Sequence, residues 1–108
     1  MTKRYKQGED ALFYVIFLSE DGGSTPIVIN PIITIKHYES GTLITDVSEA
    51  SLIQEGTSNK YYYQWSIPSG AFIGTYSVIY NAEIDGVDVE FDEEFQIYQP
   101  DITQGGLF

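Results

Sequence analysis

Two alternating runs, TYSVIYNAEI over 75–84 and VDVEFDEEFQIY over 87–98, meet at Asp85-Gly86. An Asp-Gly pair between such runs specifies a two-residue type I′ turn. Both central positions need positive φ, which Gly adopts freely and Asp tolerates. A turn that tight leaves only one register. Ile84 faces Val87, Ala82 faces Val89, Tyr80 faces Phe91, Val78 faces Glu93 and Tyr76 faces Phe95, so one side of the hairpin is apolar except at Glu93. Glu93 is therefore expected at a β-bulge or paired with a cation such as Lys36. On the other side Glu83 faces Asp88, Asn81 faces Glu90, Ile79 faces Asp92 and Ser77 faces Glu94, which makes that side a field of carboxylates.

The same period of two recurs along the chain, in runs dominated by Val, Ile, Tyr, Phe and Thr, and predicts an all-β fold. Strands are expected at Asp10 to Leu18, Ile27 to Ile29, Ile32 to Glu39, Thr42 to Val47, Tyr61 to Ile67, Thr75 to Ile84 and Val87 to Tyr98. The turn signals EDGGST, NP, ESG, EGTSN, PSG and DG separate them. Ser48 to Gln54 fits a short helical turn or an irregular strand. About seven strands within 108 residues suit one domain, a sandwich of two antiparallel sheets. The chain divides into an N-terminal arm (1–8), the sandwich (9–98) and a C-terminal tail (99–108).

Residues 61–80 carry seven aromatic rings, and parity assigns most of them. Tyr61, Tyr63, Trp65 and Ile67 share one face, Tyr76 and Tyr80 join the core through the hairpin register, and Phe72 is expected to tuck over the end of the sandwich. Tyr62 points outward. A sugar-stacking strip needs several outward rings on neighbouring strands, and Tyr14, Tyr38 and Tyr62 supply one only if their strands are adjacent.

The segment from Tyr61 to Tyr98 resembles the C-terminal half of an immunoglobulin-like or macroglobulin-like β-sandwich repeat. The matching residues are Trp65, Ile67 and Pro68, then Gly74, Tyr76 and Val78, then Asp85 and Gly86, and finally Glu94 and Phe95. Gly74-x-Tyr76-x-Val78 resembles the tyrosine corner of immunoglobulin domains. Val78 stands where the second cysteine would be, and Trp65 falls late in the chain rather than on an early strand. Such repeats occur on tailed-bacteriophage virion proteins and on bacterial surface proteins. The resemblance thus implies a non-enzymatic structural or interaction module, either an accessory, decoration or adaptor component of a tailed-phage virion or a carbohydrate-binding or adhesion module of a bacterial surface protein.

Composition narrows the partners. Sixteen acidic against five basic residues give a formal charge of -11, which disfavours nucleic acid and anionic membranes. No apolar run approaches the length of a membrane helix. The basic N-terminus precedes an apolar stretch too short for a signal peptide. A chain complete from its Met would be made and folded in the host cytoplasm and carried on the virion, the cell surface being the alternative location. Without cysteine there is no disulfide or thiolate site.

The lone His37 is expected to be packed or solvated rather than a metal ligand. The carboxylates suit calcium chemically but lack EF-hand spacing, so no cofactor is expected. No nucleophile, base and orienting group fall together, and no enzyme activity is expected. Candidate docking residues are Lys3, Arg4 and Lys6 in the N-terminal arm, Glu83, Asp88, Glu90, Asp92 and Glu94 on the acidic face, and Leu107 and Phe108 beyond the Gly105-Gly106 hinge. The expected partners are other virion or assembly proteins, or further copies of the chain. Ala11 to Leu18 is apolar at both parities, so its outer face is a further candidate for cover by a partner or a loop.

Overall fold

In a computed structural model describing residues 3–18 and 26–99, the Asp85-Gly86 turn takes the backbone its residues favour, with φ of 51° and 85°. The strand before it is β7 (Gly74–Ile84) and the strand after it β8 (Val87–Tyr98). Their register is the expected one, with Ile84 opposite Val87 through to Tyr76 opposite Phe95. The turn is tied to the chain ahead of β3. The Asp85 amide donates to the Ile27 carbonyl, and the Ile27 amide to Asp85 Oδ1, each at 2.9 Å.

The remaining strands are β1 (Lys3–Lys6), β2 (Asp10–Ile16), β3 (Val28–Glu39), β4 (Thr42–Ser51), β5 (Ile53–Gln54) and β6 (Lys60–Ser66). They form a five-stranded sheet, β1-β8-β7-β3-β4, and a three-stranded sheet, β2-β6-β5. The fold is an all-β sandwich, and its strand order is compatible with an immunoglobulin-like one. The corner at the start of β7 agrees with that topology. Tyr76 Oη donates to the Phe72 carbonyl four residues upstream at 2.6 Å.

The core lies between the sheets and takes Ala11, Phe13 and Phe17 from β2 and its end, Ile33 and Ile35 from β3, Tyr76, Val78 and Tyr80 from β7, and Phe95 and Ile97 from β8. Most of the rings of 61–80 belong to it. Tyr61, Tyr76 and Tyr80 are buried, while Tyr63, Trp65 and Phe72 pack against its margin. Burying rings of this size, several in edge or tilted contact such as Tyr5 with Phe13 and Trp65 with Phe95, supplies much of the packing that a disulfide supplies in other small sandwiches.

Three sequence expectations need correction. Lys3–Lys6, read as an arm, form β1, a strand parallel to the end of β8 with Lys3 opposite Phe95 and Lys6 opposite Tyr98. Tyr5 packs this strand onto the core, its ring 5.7 Å from Phe13 and 5.5 Å from Phe95. The second concerns Asn30-Pro31, read as a turn between two strands. It is a bulge inside the single strand β3, with Ile29 opposite Glu83 and Ile32 opposite Asn81. Pro cannot donate to a ladder, and a bulge tolerates that loss while Asn30 takes the positive φ of 53°.

Ser48 to Gln54 take the irregular-strand alternative: β4 runs on to Ser51, the buried Leu52 turns inward, and Ile53–Gln54 pair with β6. The chain changes sheets there. The third correction is Glu93, which sits neither at a bulge nor on Lys36. It keeps regular register opposite Val78 and accepts a hydrogen bond from Tyr80 Oη at 3.0 Å.

Candidate functional site

On β8, side chains alternate between the core side and the outer face. Val87, Val89, Phe91, Glu93 and Phe95 share the core side, and Asp88, Glu90, Asp92 and Glu94 the other. The inner row is covered only at its far end. Phe95 is 1 % exposed, whereas Val87 is 58 % and Phe91 56 % exposed. Among the described residues the three-stranded sheet does not cover the hairpin tip, and the sandwich is open there. The opening is an apolar cleft of about 510 Å³ between Tyr14, Ile16 and Leu18 on one side and Tyr80, Val89 and Phe91 on the other.

Polar groups at the cleft's margin are held by the core. Tyr80 is buried and stacks on Phe91 at 6.0 Å. Burial, then the charge and hydrogen bond of Glu93, push the Tyr80 hydroxyl far above the usual phenol range, so it stays a donor. Tyr5 is raised in the same direction, by burial and then by Glu93 and Glu9.

Two strand edges border this opening. β2 is the edge of its sheet. β8 is covered by β1 only from Phe95 to Tyr98, and among the described residues no strand pairs with Val87–Glu94 on the side away from β7. The Gln7 amide donates to the Tyr98 carbonyl at 3.0 Å, which shows that the even-numbered residues of β8 turn their backbone groups toward β1. Asp88, Glu90, Asp92 and Glu94 share that parity. Their backbone donors and acceptors therefore face the open edge while their carboxylates cover the outer face.

The candidate residues named from sequence fall into separate places. Asp88, Glu90, Asp92 and Glu94 are exposed along β8, and Glu83 lies opposite Asp88. Asn81 Nδ2 donates to Glu90 Oε1 at 3.2 Å. Lys3, Arg4 and Lys6 lie on β1 at the other end of the same β8 edge, with the Arg4 guanidinium 4.4 Å from the centre of the Tyr98 ring. Leu107 and Phe108 lie outside the described residues. Tyr14 and Tyr62 are direct cross-strand neighbours, and Lys60 Nζ lies 4.0 Å from the centre of the Tyr14 ring. Tyr38 is exposed on β3 in the other sheet.

His37 forms a separate polar cluster that the sequence did not reveal. Its partner comes from a bulge. β4 carries an extra residue, Asp46, between the Ile35–Val47 and Lys36–Thr45 pairs, and its Oδ2 reaches His37 Nδ1 at 2.6 Å. Nε2 lies 3.2 Å from Glu39 Oε1, and the ring stacks on Phe72 at 4.8 Å. Burial lowers the imidazole's proton affinity, but the bonds and charges of Asp46 and Glu39 outweigh it and hold the pKa above the ordinary value. With its ring packed and its polar partners assigned, His37 is a core residue.

Among the described residues no three His, Cys, Asp or Glu side chains gather to hold a metal ion. The surface at the hairpin end offers three kinds of group. It combines backbone donors and acceptors, an apolar cleft and a row of negative charge. Comparison with known proteins gives no match to any protein family, any curated protein or any solved structure.

Proposed function

We propose that the chain is a non-enzymatic interaction module whose working surface is the open hairpin end of the sandwich. One observation carries the reading. The apolar cleft between β2 and β8 lies beside two strand edges without described partners. Exposed edges beside apolar surface promote uncontrolled pairing, and folded domains ordinarily blunt or cover them. A surface of that kind is explained by a partner that completes it.

The resemblance of Tyr61 to Tyr98 to virion and surface repeats supplies the setting, an accessory, decoration or adaptor component of a tailed-phage virion. The test is sedimentation of lysate from the source cells on a density gradient, with the chain detected by antibody. Banding with phage-sized particles is the expected result. A chain found at the cell envelope instead would overturn the virion setting.

The carbohydrate-binding alternative draws its support from the Tyr14–Tyr62 pair. Two neighbouring rings make a smaller platform than the three-ring strip, because Tyr38 is on the other sheet. Replacing Tyr62 with Ala would abolish glycan-array binding if that alternative holds.

A further inference from the structure

We propose that Val87–Glu94 of β8, which among the described residues pairs on its β7 side only, accepts an added strand from a partner whose extended segment alternates apolar and basic residues. The inference rests on the interaction-module reading and names the partner's chemistry.

Three observations converge. The first is spatial. The eight residues Val87–Glu94 offer roughly 26 Å of edge at about 3.3 Å per residue, bordered by the cleft that Val89 and Phe91 help to line. The second is charge. On an added strand, side chains at one parity enter the cleft against Val89, Phe91 and Ile16, and those at the other emerge beside Asp88, Glu90, Asp92 and Glu94. Four exposed carboxylates in one row call for cations at that second parity.

The third observation is that the chain already adds a basic strand with one inward ring to this edge in cis. β1 has the sequence Lys3-Arg4-Tyr5-Lys6 and pairs with the same edge of β8. Its one inward ring, Tyr5, packs on Phe13 and Phe95, while Lys3, Arg4 and Lys6 are exposed. This stretch continues the edge with an inner row that is apolar except at Glu93 and a more acidic outer one. A partner strand would extend β1's mode of binding toward the hairpin tip by main-chain hydrogen bonds.

The test uses the full chain, labelled with nitrogen-15, and three fluorescent capped peptides. These are KVKVKVKV, the block sequence KKKKVVVV, and KVKVKVKV N-methylated at every backbone amide. KVKVKVKV should bind, with amide shifts concentrated at 87–94 and around the cleft. The combined variant Asp88→Asn, Glu90→Gln, Asp92→Asn and Glu94→Gln should bind it at least tenfold more weakly. The N-methylated peptide, which keeps the charges and side chains but cannot donate, should lose binding to a similar extent.

Equal binding of the block peptide would overturn the inference, because it would reduce the effect to general attraction for an acidic surface. Equal binding of the N-methylated peptide, or shifts centred on the Tyr14–Tyr62 face, would also overturn it. So would sedimentation showing this edge occupied by a second copy of the chain. The two proposals fail separately. Loss of peptide binding in a chain that still bands with particles removes the β8 edge and leaves the module reading. Peptide binding by a chain absent from particles removes the virion setting alone.

Discussion

His37 is buried, and its environment makes its protonation a stability question. Its folded pKa is raised by Asp46 and Glu39 against the opposing effect of burial, relative to about 6.5 for an unperturbed histidine. A raised folded pKa means that the native state holds the proton more tightly than the unfolded chain. The resulting stability is fully present below about pH 6.5 and is lost as pH rises through the folded pKa. Urea midpoints measured from pH 5.5 to 8.5 should therefore fall for the wild type relative to His37→Asn, with the fall beginning near pH 6.5. A constant difference between the two proteins across that range would contradict the assignment.

Gly74 sits under a steric constraint of the same local kind. At φ 152° its Cβ position would lie 2.7 Å from Phe72 Cε2, the ring that stacks on His37. Gly74→Ala should displace Phe72 and disturb the bond from Tyr76 Oη to the Phe72 carbonyl, at a cost of about 1–3 kcal/mol in a denaturant titration. Both residue environments were only partly legible in the sequence. Gly74 and Tyr76 stood out through a familiar spacing, whereas nothing local to Asp46 signals that a bulge aims it at His37.

Among the elements, the β7–β8 hairpin was readable residue by residue because turn chemistry and alternation specified the same register. β1 was not. Three of its four residues are charged, it shows no alternation of apolar residues, and its pairing is with the far end of the chain. Long-range parallel pairing leaves no local mark on so short a segment. β5 was hidden for a similar reason, being two residues long and separated from β4 only by the inward step of Leu52.

The hairpin's own weakness is also readable. Glu83 and Asp88 face each other across it, and directly opposed like charges destabilise a ladder by about 0.2–1 kcal/mol. Asp88→Lys replaces that repulsion with attraction and should raise stability by a similar amount in thermal unfolding. The same substitution removes one carboxylate from the proposed docking row and should weaken KVKVKVKV binding. A variant that is more stable but binds less well is the pattern expected when a charge serves recognition at the expense of folding. Unchanged or lower stability would contradict the repulsive reading of the pair.

For the whole molecule, the sandwich and the make-up of its core followed from periodicity, but the neighbours of each strand did not. Alternation gives the face of Tyr14, Tyr38 and Tyr62 and is silent on sheet membership, which is why one of the three lies on the opposite sheet from the other two. The net charge of -11 has a consequence that depends on this arrangement. Asp88, Glu90, Asp92 and Glu94 occupy alternate positions of one strand, so neighbouring carboxylates recur about every 7 Å. That spacing is shorter than the screening length of about 10 Å at 0.1 M salt, and the row repels itself in dilute buffer. Added salt should therefore stabilise the fold, raising Tm by a few degrees between about 0.02 and 0.5 M sodium chloride, since about 1 kcal/mol shifts a domain of this size by about 4–8 °C. The quadruple variant Asp88→Asn, Glu90→Gln, Asp92→Asn and Glu94→Gln should start with a higher Tm and respond less to salt. If both proteins gained equally, the salt effect would come from general strengthening of apolar burial, and the carboxylate row would not be the seat of the strain.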